Sequence, residues 1–384
     1  MHLDGDGMQR STPRLSSRRL PSLDGLRALS IILVLIGHLA GSRGFLSFAT
    51  IARAGDLGNL GVRTFFVISG FLITGLLADE RQRTGAVSLT AFYIRRALRI
   101  FPAFFVFLAA AVLLSRTGFA TLDRRDFLQA VTYTFNYRGI SPNFSLRHLW
   151  SLAVEEQFYL IWPLTFASLA VVSGRRVLAA VLVCVPILRV VMPAIIPGYI
   201  DYVPTAFETV CDALATGCLT ALLLPDLRRA AWFRRIVFSR FVPLAFAVIW
   251  IANKQTDHPK LFWLFCIPAM NVLIAMLMVR YVERPSLPLG RVLNTRVMAG
   301  IGVLSYSLYL WQELFLIQFR TPASILQTFP LNVLMALACA GMSYRLVERP
   351  FLKLKRRVSA ESAGAATPDA APRPVSLSEV PRPS

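Results

Sequence analysis

Leu23–Leu39 reads LDGLRALSIILVLIGHL, and its reading decides the fold. Between Arg27 and His38 the chain carries no charge and a single hydroxyl, Ser30. Continued to about residue 47, the run has the ~20 residues that a helix needs to cross the hydrocarbon of a bilayer. Comparable runs recur along the chain. Ten spans are expected, at roughly 26–47, 60–78, 100–115, 149–172, 177–196, 206–224, 241–253, 261–281, 298–319 and 329–347. The expected fold class is all-α, a polytopic integral membrane helical bundle. An eleventh candidate, Asp126 to Tyr137, is short and carries Gln129, Tyr133 and Asn136, so it reads as an interfacial or re-entrant piece.

The composition agrees. The 384 residues are 55% hydrophobic and 16% charged, with mean hydropathy +0.56, whereas soluble domains carry about 25% charged residues. A large water-soluble enzyme, a disordered chain, a collagen and a disulfide scaffold are all excluded for most of the length. The balance of 41 Lys+Arg against 21 Asp+Glu gives +20. In a soluble protein that excess would suggest nucleic acid; here it follows the positive-inside rule, and no nucleic-acid partner is expected. With the N-terminus in the cytoplasm, the inner loops collect Arg81, Arg83, Arg95, Arg96, Arg99, Arg175, Arg176, Arg228, Arg229, Arg234, Arg235, Arg240, Arg284, Arg291 and Arg296. The outer loops at 197–205, 254–260 and 320–328 hold Lys260 and Arg320, while those at 48–59 and 116–148 are less clean. An even number of spans with both termini cytoplasmic fits best.

Three regions are expected: a cytoplasmic N-terminal tail at 1–25, a membrane domain at 26–352, and a cytoplasmic tail at 353–384, first basic and then disordered. The first span reads as a retained helix, not a cleaved signal peptide. Cys184, Cys211, Cys218, Cys266 and Cys339 lack metal-ligand spacing, so no metal site is expected, and buried small hydrophobes is the better reading. VERP occurs at Val282–Pro285 and again at Val347–Pro350, each closing a span.

Ionisable groups inside membrane helices are costly and mark candidate sites. Arg27 and His38 lie eleven residues apart, three turns plus about 20°, so they share one helix face with a rise of about 16 Å. That places Arg27 at the cytoplasmic mouth and His38 near mid-bilayer, where an imidazole can act as general base. In RHLWSLAVEEQFYLIWPL, His148, Ser151, Glu155 and Tyr159 form one stripe, expected to face substrate, with Glu156 beside it. The carboxylates need a partner, His38 or an arginine; a paired Glu could orient the histidine. In FYIRRALRIFP, Arg96 and Arg99 share a face with Arg95 adjacent. Two guanidinium forks suit the phosphates of a nucleotide-bearing donor, or else set topology and meet anionic lipid. Arg189, Glu208, Asp212, Asn271, Gln312 and Glu313 are further intramembrane polar residues without assignable partners.

Together these residues resemble the acyltransferase 3 family, integral-membrane enzymes that O-acylate carbohydrates and some small molecules. The resemblance runs in order through Arg27-x10-His38, GVRTFFVISGFLIT, RRALRIFP, HLWSLAVEEQFYLIWP, LSYSLYLWQ and YRLVERP, from about 25 to 350. It implies catalysis at His38 with support from Arg27, and from Glu155 and Glu156. It also implies donor binding at Arg96 and Arg99, and Arg95 beside them is expected to join in holding the donor. The expected donor is acyl-CoA, most simply acetyl-CoA, as a substrate with no bound cofactor. The expected acceptor is a hydroxyl of a polysaccharide, glycolipid or glycosylated small molecule, and the expected location is the inner (plasma) membrane. Three features depart from the family. Arg63-Thr64 replaces an acidic residue common after Gly-Val, Gln312 stands where many members have His, and no esterase-like domain is expected after the last span. The rival class is a transporter or flippase for a glycolipid or small molecule, which also needs buried polar groups and broken helices.

Overall fold

The structure, a computed structural model, describes residues 21–40, 42–45, 55–139, 145–252, 259–316 and 324–354. Residues 1–20 and the tail from 355 lie outside the described residues, as does Arg53. Among the described residues every regular element is helical. The order begins with α1 (Pro21–Leu39), α2 (Gly55–Thr84), α3 (Leu89–Arg116) and α4 (Arg124–Val131). α5 (Leu149–Ser168) and α6 (Val171–Ile195) follow, then the single turn α7 (Phe207–Val210) and α8 (Asp212–Arg229). α9 (Ala231–Val237) and α10 (Phe241–Ala252) precede α11 (Pro259–Leu261), which passes through a π-turn at Phe262–Cys266 into α12 (Ile267–Glu283). α13 (Pro288–Leu293), α14 (Arg296–Phe315) and α15 (Leu331–Ser343), extended by a π-turn at Tyr344–Glu348, complete it.

Each of the ten expected spans overlaps at least one helix, the sixth being divided between α7 and α8. Among the described residues five helices are long and apolar enough to cross a membrane: Pro21–Leu39, Leu57–Thr84, Leu89–Arg116, Val171–Ile195 and Pro259–Glu283. Their outer faces are apolar and uncovered, Leu113 being 70% and Ile195 66% exposed, as a bundle solvated by lipid requires. The cysteines divide accordingly: Cys211 and Cys218 are buried, whereas Cys184 is exposed, which corrects the expectation that all five are core residues.

The first span ends sooner than expected. Its helix stops at Leu39, where the amide of Ser42 turns back to the Leu39 carbonyl at 2.9 Å, and Gly44 adopts a φ of +79°. His38 therefore stands in the last turn of α1, not at mid-span. The segment 126–137 does not form a crossing. It folds into the eight-residue α4 and a short turn at Phe135–Tyr137, held by a reciprocal cap between Asp123 and Asp126. Arg138 donates to Asp126 at 2.7 Å and to Asp123 at 2.9 Å. The Asp126 amide and this guanidinium hold the Asp123 carboxyl below its ordinary value.

α1 packs along α2 and α14, and α2 packs along α8. The second contact is backbone against backbone. A Cβ on Gly70 would collide with the Leu214 carbonyl, and one on Gly217 with the Val67 carbonyl, so small residues set the helix separation. One arginine expected in the inner loops satisfies a helix end. Arg81 donates to the carbonyls of Ala167 and Leu169 at 2.9 and 2.8 Å, closing α5. Glu283 and Glu348, the two VERP glutamates, are both engaged: Glu283 pairs with Arg228 at 2.5 Å, and Glu348 accepts from the Ser307 hydroxyl.

Candidate functional site

Two helix faces make most of the site. α14 presents Ser305, Tyr306, Tyr309, Gln312 and Glu313, an i, i+1, i+4, i+7, i+8 pattern. α2 presents Val62, Phe65, Phe66, Ser69, Leu72, Ile73 and Leu76 in the same manner. α1, α3 and α5 add Arg27 and His38, Arg96 and Arg99, and Ser151, Glu155 and Tyr159.

Between these faces lie three cavities that share walls. The first, about 150 Å³, is lined by His38, Asn59, Arg147, His148, Tyr309 and Glu313, among others. The second, about 60 Å³, shares Val62 and Tyr309 with the first and adds Arg27, Ser69, Ser151 and Glu155. The third, about 160 Å³, shares Arg27, Ser69, Leu152, Glu155 and Tyr306 with the second and ends on Arg96, Arg99 and Tyr159. The Ser151 and Tyr309 hydroxyls are hydrogen-bonded to each other, and both line the small middle cavity. Tyr309 also donates to the His148 carbonyl at 2.7 Å, which fixes it against the start of α5.

His38 Nδ1 lies 2.7 Å from Gln312 Oε1 and 3.7 Å from Glu313 Oε2. The same Glu313 oxygen lies 3.3 Å from Nδ1 of His148, whose ring is enclosed by Phe107 and Tyr309 at centroid distances of 5.6 and 5.3 Å. One carboxylate thus faces two imidazoles, and the imidazole of His38 is 26% exposed to the cavity. A base that can take a proton while a buried carboxylate stabilises the resulting cation is suited to activating a hydroxyl.

At the other end the charges are more tightly committed. Glu155 Oε1 accepts from Ser69 at 2.6 Å, from Arg96 at 3.3 Å and from the Tyr159 hydroxyl. Arg96 lies over the Tyr159 ring at 3.5 Å and 3.9 Å from Glu156. Arg95 turns to Glu80 at 3.3 Å. Arg99 lines the third cavity with Arg27 and Arg96, giving it an excess of positive charge over Glu155.

The expected residues are therefore distributed unevenly. Arg27 and His38 line the chain of cavities, as do Arg96, Arg99, His148, Ser151, Glu155 and Tyr159. Arg95 and Glu156 are not among the residues that line the three cavities. Glu155 pairs with Arg96 and not with His38; the carboxylate beside His38 is Glu313, which was named in the sequence without a partner. Tyr306 and Tyr309 were missed, although their spacing with Glu313 places all three on one face of α14.

A family model described as an acyltransferase domain matches residues 20–344. The O-acetyltransferase OatA of Staphylococcus aureus (strain NCTC 8325 / PS 47) is 30% identical over 381 residues, which cover 91% of this chain and 60% of that protein. A provisionally named O-acetyltransferase of Staphylococcus aureus (strain COL) is 30% identical over 365 residues, covering 88% of this chain and 58% of the relative. The chain thus spans less than two thirds of the length of these relatives. No solved structure matches it.

Proposed function

The chain belongs to the acyltransferase domain family matched over residues 20–344, and on that premise we propose that it is a membrane O-acyltransferase of ten crossing helices in the inner membrane, with both termini cytoplasmic. The donor is acyl-CoA, most simply acetyl-CoA, and the acceptor is a hydroxyl of a carbohydrate. The names of the relatives support acetyl as the group transferred.

The observation that carries this reading is the chain of three cavities, with guanidiniums at one end and an imidazole–carboxylate pair at the other. In the proposed topology the arginine end faces the cytoplasm, where phosphates of the donor meet Arg99, Arg27 and Arg96. The acyl arm reaches through the narrow middle cavity, past Ser151 and Tyr309. At the far end, His38 removes the proton from the acceptor hydroxyl as its oxygen attacks the thioester carbonyl. The carbon–sulfur bond then breaks, and the CoA sulfur leaves as a thiol after taking the proton from the imidazolium. Glu313 stabilises that cation while it exists. Entry of donor and acceptor from opposite ends explains why base and arginines stand apart.

The test is release of free CoA thiol from acetyl-CoA by the purified chain, in the presence of a carbohydrate acceptor. Release that depends on the acceptor and disappears in His38→Ala is the expected result. Glycans from cells with and without the protein, compared by mass spectrometry, then identify the acceptor by its missing ester. No acceptor-dependent thiol release, with movement of a glycolipid across vesicles instead, would replace this reading with a flippase.

A further inference from the structure

A fourth cavity, about 280 Å³, lies beside the His38 cavity and shares Asn59 with it. Its walls include Arg63, Arg189, Trp250, Trp263 and Met270. Arg63 stands one turn beyond Asn59 on α2, about 6 Å along the helix, so it faces the same side of α2 as the residue common to both cavities.

The charges in this cavity do not balance. Asp212 is the carboxylate at hand, and both its oxygens are taken: one by Arg189, which also donates to the Thr209 carbonyl, the other by the Asn271 amide at 3.0 Å. Arg63 is left over. Its Nη1 is buried and makes no hydrogen bond, and no ion pair to it is found among the described residues. A half-buried guanidinium with no carboxylate paired to it is costly in a low-dielectric interior. A cation kept at this cost, in a cavity that shares Asn59 with the cavity of His38, points to an anion that arrives with the substrate. Trp250 and Trp263 add flat apolar faces of the kind that stack on sugar rings.

We propose that the Arg63 cavity is an acceptor subsite, which receives a carboxylate or phosphate substituent of the saccharide whose hydroxyl is presented to His38. This rests on the acyltransferase reading and adds to it that the acceptor is anionic. Arg63 binds the substituent through its free N–H groups, and Asn59 lies where the two cavities meet.

The test uses the full chain in nanodiscs of zwitterionic phosphatidylcholine, without acetyl-CoA. Indole fluorescence is titrated with methyl glucuronide, glucose 6-phosphate and uncharged methyl glucoside. The expected result is saturable binding of both anionic sugars at least tenfold tighter than the glucoside. Arg63→Gln should abolish that preference, Arg63→Lys should keep part of it, and His38→Ala should leave it intact. Equal binding of charged and neutral sugars by the wild type overturns the proposal, as does a preference that survives in a folded Arg63→Gln. A response confined to discs containing phosphatidylglycerol, with none to either anionic sugar, overturns it in favour of a lipid counter-ion. Anion binding through Arg63 in a protein that releases no CoA from acetyl-CoA would leave the subsite standing and remove the acyltransferase reading instead.

Discussion

The side-chain oxygen of Gln312 lies 2.7 Å from Nδ1 of His38. The amide is oriented from its other side, because its nitrogen faces Glu313 Oε2 at 3.4 Å and can only donate there. An amide oxygen only accepts, so Nδ1 carries the hydrogen and the lone pair of His38 resides on Nε2. In the proposed mechanism Gln312 is a positioning residue that selects the tautomer competent as a base. Gln312→Leu should lower kcat by up to about 100-fold, the low end of what a positioned acid–base group contributes. The donor KM should stay near the wild-type value. Steady-state kinetics with acetyl-CoA check this, and an unchanged kcat would leave the tautomer to be set elsewhere.

The carboxylate that matters most to the proton transfer is expected to be Glu313. It is 3.7 Å from His38 and 3.3 Å from His148, whereas Glu156 is 3.9 Å from Arg96 and remote from either ring's partner set. Glu313→Gln keeps the shape and removes the charge that stabilises an imidazolium. Its kcat should fall by roughly 10²–10⁴, the range associated with a positioned acid–base group. Glu156→Gln should cost less than tenfold. Parallel single-turnover measurements on the two variants separate these roles, and equal losses would return the support of His38 to α5.

The helical face shared by Arg27 and His38 was legible in the sequence because helical period is a local property, and both side chains do line the cavities. The stripe on α5 was legible for the same reason. The end of α1 was misplaced because the punctuation in Gly41–Gly44 was outweighed by apolar residues that follow it. The partner of His38 was invisible for a different reason. Gln312 is 274 positions away, and pairing across that separation is decided by how α1 docks on α14. Arg96 illustrates the same limit: its spacing with Arg99 suggested a matched pair, yet Glu155 claims one and leaves the other facing the cavity.

Arg96 and Arg99 should consequently give different variants. Arg99→Ala removes positive charge from the third cavity and is expected to raise the donor KM at least tenfold, with a melting temperature close to wild type. Arg96→Ala strips Glu155 of its guanidinium and uncovers the Tyr159 ring beneath it. Leaving a partly buried carboxylate without its partner costs on the order of 3 kcal/mol, so this variant should melt earlier as well as bind donor poorly. Thermal unfolding in detergent, read beside the donor KM, distinguishes the two. An Arg99→Ala variant with unchanged donor KM would reduce that arginine to a topology signal.

The walls of the cavities depend on how closely α2 approaches α8. Gly217 lies against the Val67 backbone, so that any Cβ meets a carbonyl that cannot rotate away. Gly341 on α15 has nothing within 4 Å of its would-be Cβ. Gly217→Val should therefore destabilise by on the order of 3 kcal/mol, the upper range of overpacking in a close-packed interior. Gly341→Ala should be neutral or stabilise by up to ~1 kcal/mol through helix propensity alone. Because α2 carries Asn59, Val62 and Ser69 into the cavities, Gly217→Val should also lower kcat, while Gly341→Ala leaves it unchanged. Melting temperature and acetyl-CoA turnover measured on both variants check this. A Gly217→Val protein of wild-type stability would mean that α2 and α8 do not meet backbone to backbone.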